Sequence, residues 1–239
     1  MAGRRLKLSA LTEWARFDAR LGGTRPTPKA GHLARGVLAA CGQFLLLAAL
    51  PFFVLVRVSV FFYSHYGYTT WPALAVGVVC MLGIVTAYAA WLWQRITGGA
   101  RVLVVARQVA LPLVLAYVVY ALVYVSSVNA KSEQVRAYYA SLHPLLRVAL
   151  STWILLDREI VITDLARRPE DYPTMGLPVF DGSLHYKQRD GYAHAADLRT
   201  GGRCFVKNWL VQLYFWSMGF DTLRHVGMAD HLHVELPVP

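Results

Sequence analysis

The sequence is short of acid. It holds 14 Asp and Glu against 24 Lys and Arg, and before residue 129 the only carboxylates are Glu13 and Asp18. Charge of either sign is scarce, at 16% of residues, while 56% are hydrophobic. A mean hydropathy of +0.40 is high for a soluble globule and points to a membrane. Cysteine is also scarce. Cys41, Cys80 and Cys204 offer no disulfide framework, and the lack of any Cys-x-x-Cys excludes a thiolate zinc motif. There is no internal repeat and no low-complexity tract, which excludes a solenoid.

What the chain has instead is long apolar runs. Residues 36–56, 71–93 and 109–128 carry no charge. Each is close to the ~20 residues that a helix needs to cross a ~30 Å hydrocarbon core. Aromatic residues cluster at their ends, as interfacial anchors do. The sequence therefore predicts an N-terminal arm (1–35), a membrane domain of three transmembrane helices (36–128) and a C-terminal domain (129–239). Eight Lys and Arg lie in the arm, and Arg95, Arg101 and Arg107 lie between the second and third runs. That bias predicts a cytoplasmic N-terminus and, after three crossings, an extracytoplasmic C-terminal domain. From residue 129 onward twelve basic residues meet twelve acidic ones. A nucleic-acid partner thus has no electrostatic basis there. Within the arm, residues 8–21 (LSALTEWARFDARL) fit either a short amphipathic helix on the inner surface or a solvated basic tail.

The C-terminal domain reads as α+β. Residues 130–156 are helical in pattern, with a break near Pro144. The β-branched run 158–165 predicts a strand, and 167–183 is rich in loop-forming Pro, Gly and Asp. Residues 195–200 predict a strand and 204–220 a helix packed on a sheet. LRHVGM and HLHVEL complete the domain as short strands. Five of the eight histidines fall between 185 and 233. His231 and His233, two apart on a strand, point to one face. Two imidazoles and a carboxylate with an open fourth position form a catalytic zinc set.

Ser183-Leu184-His185, Ala195-Ala196-Asp197-Leu198-Arg199 and Asp230-His231-Leu232-His233-Val234-Glu235 resemble motifs of one family. It comprises the zinc D-alanyl-D-alanine carboxypeptidases, dipeptidases and phage-type L-alanyl-D-glutamate endolysins, which share their fold with the hedgehog signalling domain. The resemblance covers about residues 135–239. It implies a hedgehog/DD-peptidase-like α+β domain attached to the three transmembrane helices. It also implies Zn2+ ligands at His185, Asp197 and His233, a catalytic base at Asp230, and an oxyanion-steadying arginine at Arg167. His231, beside the ligands, would orient His233 or donate to substrate. Glu235 is the alternative base and His194 an alternative ligand. The chain departs from the family in spacing: twelve residues separate His185 from Asp197, where seven are usual. Asp164 also stands where the family often has serine.

The implied function is a membrane-anchored zinc metallopeptidase of a bacterial inner membrane, with its domain in the periplasm or outside. It would hydrolyse peptidoglycan stem peptides as a D,D-carboxypeptidase or endopeptidase. The alternative is a catalytically inactive domain that binds cell wall or a partner protein. Small residues at helical spacing in GVVCMLG would let the spans pack against other membrane subunits.

Overall fold

The structure is a computed structural model that describes residues 30–99, 101–167, 176, 182–227 and 230–238. The predicted arm helix at 8–21 and most of the 167–183 loop lie outside them. The chain divides into two compact units, Met1–Ala48 and Ala49–Pro239. The described part of the first is helical. The second carries the rest of the apolar helices and the whole C-terminal domain.

Among the described residues, three helices are long and apolar enough to cross a membrane: Leu38–Tyr66, Thr70–Thr97 and Val102–Val123. The first belongs to helix α1 (Ala30–Tyr66), the second is α2 (Thr70–Thr97) and the third is α3 (Val102–Val123). This supports a membrane protein. Helices α1 and α2 approach closely at Gly77, where an added Cβ would lie 2.5 Å from the Leu55 carbonyl oxygen. Only glycine fits there. Helix α3 starts earlier than the charge-free run, because Arg107 is absorbed into a π turn at Ala106–Ala110. The Leu111 N–H reaches back to Ala106 O. The wide turn makes room just before Pro112, whose ring crowds the preceding carbonyls of a regular helix.

A helix end leaves carbonyls without partners. Those of α3 are closed by side chains from further along the chain. Tyr139 Oη donates to Ala121 O at 2.9 Å, and Arg147 Nη1 donates to Leu122 O at 2.5 Å. Thr152 Oγ1 and Tyr117 Oη share a hydrogen bond of 2.7 Å. Tyr139 follows the short α4 (Glu133–Ala137), while Arg147 and Thr152 belong to α5 (Pro144–Leu156). The break near Pro144 is present. His143 caps α5, its Nδ1 accepting from the Leu145 N–H at 3.3 Å. Residues 144–153 are all buried, so α5 is a core helix with the spans on one side and the sheet on the other.

The sheet has four antiparallel strands in the order β1-β2-β4-β3. They are β1 (Ile162–Asp164), β2 (Ala195–Arg199), β3 (Asp221–His225) and β4 (His231–Glu235). Between β2 and β3 runs α6 (Phe205–Met218), which ends at Gly219 in the left-handed region, φ 97°. The run 158–165 yields only a three-residue strand. Asn129 Nδ2 takes the carbonyls of Arg158 and Ile160 at 2.9 and 2.8 Å, so that stretch never enters the ladder. The sheet is two-faced by pleat alternation. Ala196, Leu198, Leu232 and Val234 are fully buried in one core with α5 and α6. Asp197, His231, His233 and Glu235 alternate with them and face the other way. Three long apolar helices with a small α+β domain is the architecture expected of the sequence.

Candidate metal centre

On the outward face of the sheet is a pocket of about 570 Å³, with Arg167, His185, Asp197, His231, His233 and Glu235 among its lining. Strand register makes this floor. Asp197 on β2 is the cross-strand partner of His233 on β4, and Ala195 of Glu235. Direct partners share a face. On the far side of β4, His225 pairs with His231 and Leu223 with His233.

His185 arrives from a loop rather than a strand. Ser183 Oγ accepts from the His185 N–H at 3.4 Å, and the His185 carbonyl accepts from the Arg167 N–H at 3.0 Å. Its ring Nδ1 lies 3.0 Å from Leu165 O. A carbonyl only accepts, so the ring proton sits on Nδ1 and the Nε2 lone pair is free to face Asp197 Oδ1 at 3.4 Å. His233 is held in the same manner. Its Nε2 lies 3.0 Å from Glu235 Oε2 and its Nδ1 lies 2.8 Å from Asp197 Oδ1. Asp197 is in turn fixed through Oδ2, which accepts from Arg167 Nη2 at 2.9 Å. Arg167 Nε also donates to Asp164 Oδ2 at 2.5 Å.

One ligand atom from each of His185, Asp197 and His233 lies within 4.8 Å of the others. His185 and Asp197 are only 3% and 4% exposed. The His185 lone pair and the Asp197 carboxylate are both acceptors, and two buried acceptors face one another only with a cation or a proton between them. Burial raises the Asp197 pKa, but its interactions with the His185 and His233 rings outweigh it and hold the carboxyl well below its ordinary range. The hydrogen bond to Asp197, opposed by burial and helped by Glu235, raises the His233 pKa. The donor set therefore fits a divalent metal, which would take the place of a proton on His233 Nδ1. Glu235 and the Leu165 carbonyl would then orient the two rings, as groups behind metal-bound histidines commonly do.

The remaining residues expected at the site divide. His231 lines the pocket, with Nε2 3.9 Å from Asp197 Oδ1 and its ring stacked on His225 at 4.6 Å. Asp230 is not brought to the floor. It precedes β4 on the opposite parity from His231, His233 and Glu235. Its Oδ1 accepts from the Gly227 N–H at 2.5 Å and its carbonyl from the Thr200 N–H at 3.2 Å, so it is tied to Gly227 and to the end of β2. Of the two carboxylates considered as base, Glu235 is the one in the pocket. His225 was not among the residues expected there; its signal was its place two residues from Leu223 on the partner strand.

His194 lies one residue before β2, on the buried side. It belongs to a second group, with His143 and Asp190. His194 Nε2 is 2.9 Å from Asp190 Oδ2, and its Nδ1 is 3.3 Å from Leu236 O. His143 Nδ1 already accepts a backbone N–H, so its Nε2 carries the proton and donates to Thr70 Oγ1 at 2.8 Å. That leaves His143 no lone pair for a metal, and this group fits an ion less well than the first. It ties the first turn of α2 to the domain. Burial, with His194 beside it, pushes the His143 pKa down to about 3.

No protein-family model, curated protein or solved structure matches the chain, so the geometry of the His185–Asp197–His233 centre is what bears on its function.

Proposed function

We propose that the chain is a membrane-anchored zinc metallopeptidase that cleaves peptidoglycan stem peptides. The observation that carries this is the convergence of His185 Nε2, Asp197 Oδ1 and His233 Nδ1 on one point of a pocket floor. Two imidazoles and a carboxylate suit zinc with a position left open. When bound, zinc supplies Lewis acidity to a scissile carbonyl. Glu235, with one oxygen on His233, takes the proton of the attacking water and returns it to the leaving amine. Arg167 on the pocket wall faces the negative charge that builds on the carbonyl oxygen. The likeness of the three motifs to the D,D-peptidases supplies the substrate class and a hedgehog-like fold. The basic N-terminal side supports a cytoplasmic N-terminus and a domain beyond a bacterial inner membrane.

A second reading has its own observation. Asp197, Arg167, His233 and Glu235 already satisfy one another as ion pairs, as a metal-free domain that binds cell wall or a membrane partner would require. Metal analysis of the full-length protein in detergent separates the two. The peptidase reading expects about one zinc per chain, lost in His233→Ala, with stem-peptide cleavage lost in Glu235→Gln while zinc stays bound. A folded, metal-free wild type that takes up no added zinc sinks it.

A further inference from the structure

Among the described residues, none covers the outward face of α6. Phe205, Val206, Trp209, Leu210, Leu213 and Trp216 are all exposed, with Phe205 at 69%, Trp209 at 52% and Trp216 at 67%. At 100° per residue they fall within an arc of about 140°. The only polar residue in that arc is Ser217, whose hydroxyl is spent on the Tyr214 carbonyl at 2.8 Å. Lys207, the one charged residue of the helix, lies outside the arc and pairs with Glu159.

The position of this face identifies what covers it. Helix α6 packs beside α1 and not beyond its end. The Tyr214 ring lies 5.4 Å from that of Phe53, and Gly219 abuts Arg57 and Val60. Phe53 and Val60 are thirteen and six residues before the end of α1 at Tyr66, or about 20 and 9 Å along its axis. The apolar arc is therefore level with the outer part of a candidate membrane span. Leu113, Leu115 and Val119 on α3 are exposed and apolar as well. Arg57, the sole formal charge between 36 and 66, stands at the C-terminal end of α6, where a cation suits both the helix carbonyls and lipid headgroups.

We infer that the exposed face of α6 is a lipid-facing surface, with Phe205, Trp209, Leu213 and Trp216 turned to the bilayer that α1–α3 cross. At 14 residues it is about 21 Å long, too short to span. Its contacts advance along α1 from Phe53 at Tyr214 to Val60 at Gly219, so it runs beside that helix with its apolar, tryptophan-bearing stripe turned outward. The inference rests on the membrane reading of the three long helices. It goes further in making the domain itself a lipid-binding surface, which holds the sheet at a fixed height above the bilayer.

The test uses the full-length chain in lipid nanodiscs with Cys41, Cys80 and Cys204 replaced by serine. Single spin labels are placed at Trp209→Cys, Trp216→Cys, Leu113→Cys on α3 and Glu133→Cys on α4. Collisions with oxygen, which concentrates in lipid, are compared with those of a water-soluble nickel chelate. Positions 209 and 216 are expected to favour oxygen several-fold over position 133, as position 113 does. If they match 133 while 113 reads lipid, the face is in water and the inference fails, with the spans intact. If both reagents are excluded at 209 and 216, another protein covers the face and the inference fails again. If 113 also reads water, the membrane reading falls and takes the inference with it.

Discussion

Asp197→Asn is the substitution that asks most of the proposed centre. It keeps the size of the side chain and removes its charge. In the metal-free protein Asp197 offsets Arg167 at 2.9 Å and His233 at 2.8 Å while itself buried. Removing one partner of a buried pair costs about 3–5 kcal/mol. Arg167 keeps Asp164, which places the expected loss at the lower end. In the wild type, zinc at a hundredfold its Kd adds about 2.7 kcal/mol. For 239 residues that is a rise in Tm of roughly 5–11 °C, at about 2–4 °C per kcal/mol. The assay is thermal unfolding in detergent, followed by tryptophan fluorescence, of chelator-stripped protein with and without zinc. The variant is expected to melt lower than wild type and to gain nothing from zinc. An equal zinc-induced rise in both proteins would refute the assignment of Asp197 as a ligand, and no rise in wild type would refute the metal centre.

Zinc affinity is expected to fall between pH 8 and pH 6, because the raised His233 pKa makes the proton a competitor for Nδ1; a pH-independent affinity from competition titrations would count against His233 as ligand. Burial holds His143 neutral, with its pKa lowered to about 3 from 6.5. The unfolded chain protonates it first, so its contribution is complete above pH 6.5 and shrinks as pH falls from there toward 3, by about 2 kcal/mol at pH 5. His143→Asn, which keeps an acceptor for the Leu145 N–H, should therefore close its stability gap to wild type as pH drops from 7 to 5, read as the difference in Tm. Gly77→Ala sets a methyl group against the Leu55 backbone and should cost about 1–3 kcal/mol; an unchanged melting curve would mean that α1 and α2 do not approach there. Arg167→Lys loses the planar fork that joins Asp164 to Asp197 and should weaken zinc binding about 10–100-fold by titration.

The long helices were legible because hydropathy over twenty residues is a summed signal that no single neighbour overturns. The floor of the pocket was legible because strand alternation is local: His231, His233 and Glu235 share a face whatever surrounds them. The same parity argument places Asp230 off that face, and the motif likeness pulled against it. Other features depended on partners far along the chain. The run 158–165 looks like a full strand until Asn129 takes two of its carbonyls. His194 read as a rival ligand because its partners, Asp190 and Leu236, and its neighbour His143 meet only in three dimensions. The start of α3 was hidden by Arg107, which a π turn accommodates at no cost to the span's length.

A domain hung from a membrane by loose peptide can be pulled without the membrane feeling it, because the peptide stretches first. Here the connection behind Val123 is short-circuited. Tyr139 and Arg147 grip the last carbonyls of α3, and the Lys131 N–H is fastened to Ile162 O of β1 at 2.8 Å. The join is a stiff bracket with no spring in series. Load applied to the sheet is delivered to α3 as torque, and on the membrane reading a change of bilayer thickness that tilts α3 swings α5 and the strands resting on it. On that reading the pocket floor and the bilayer share one mechanical frame.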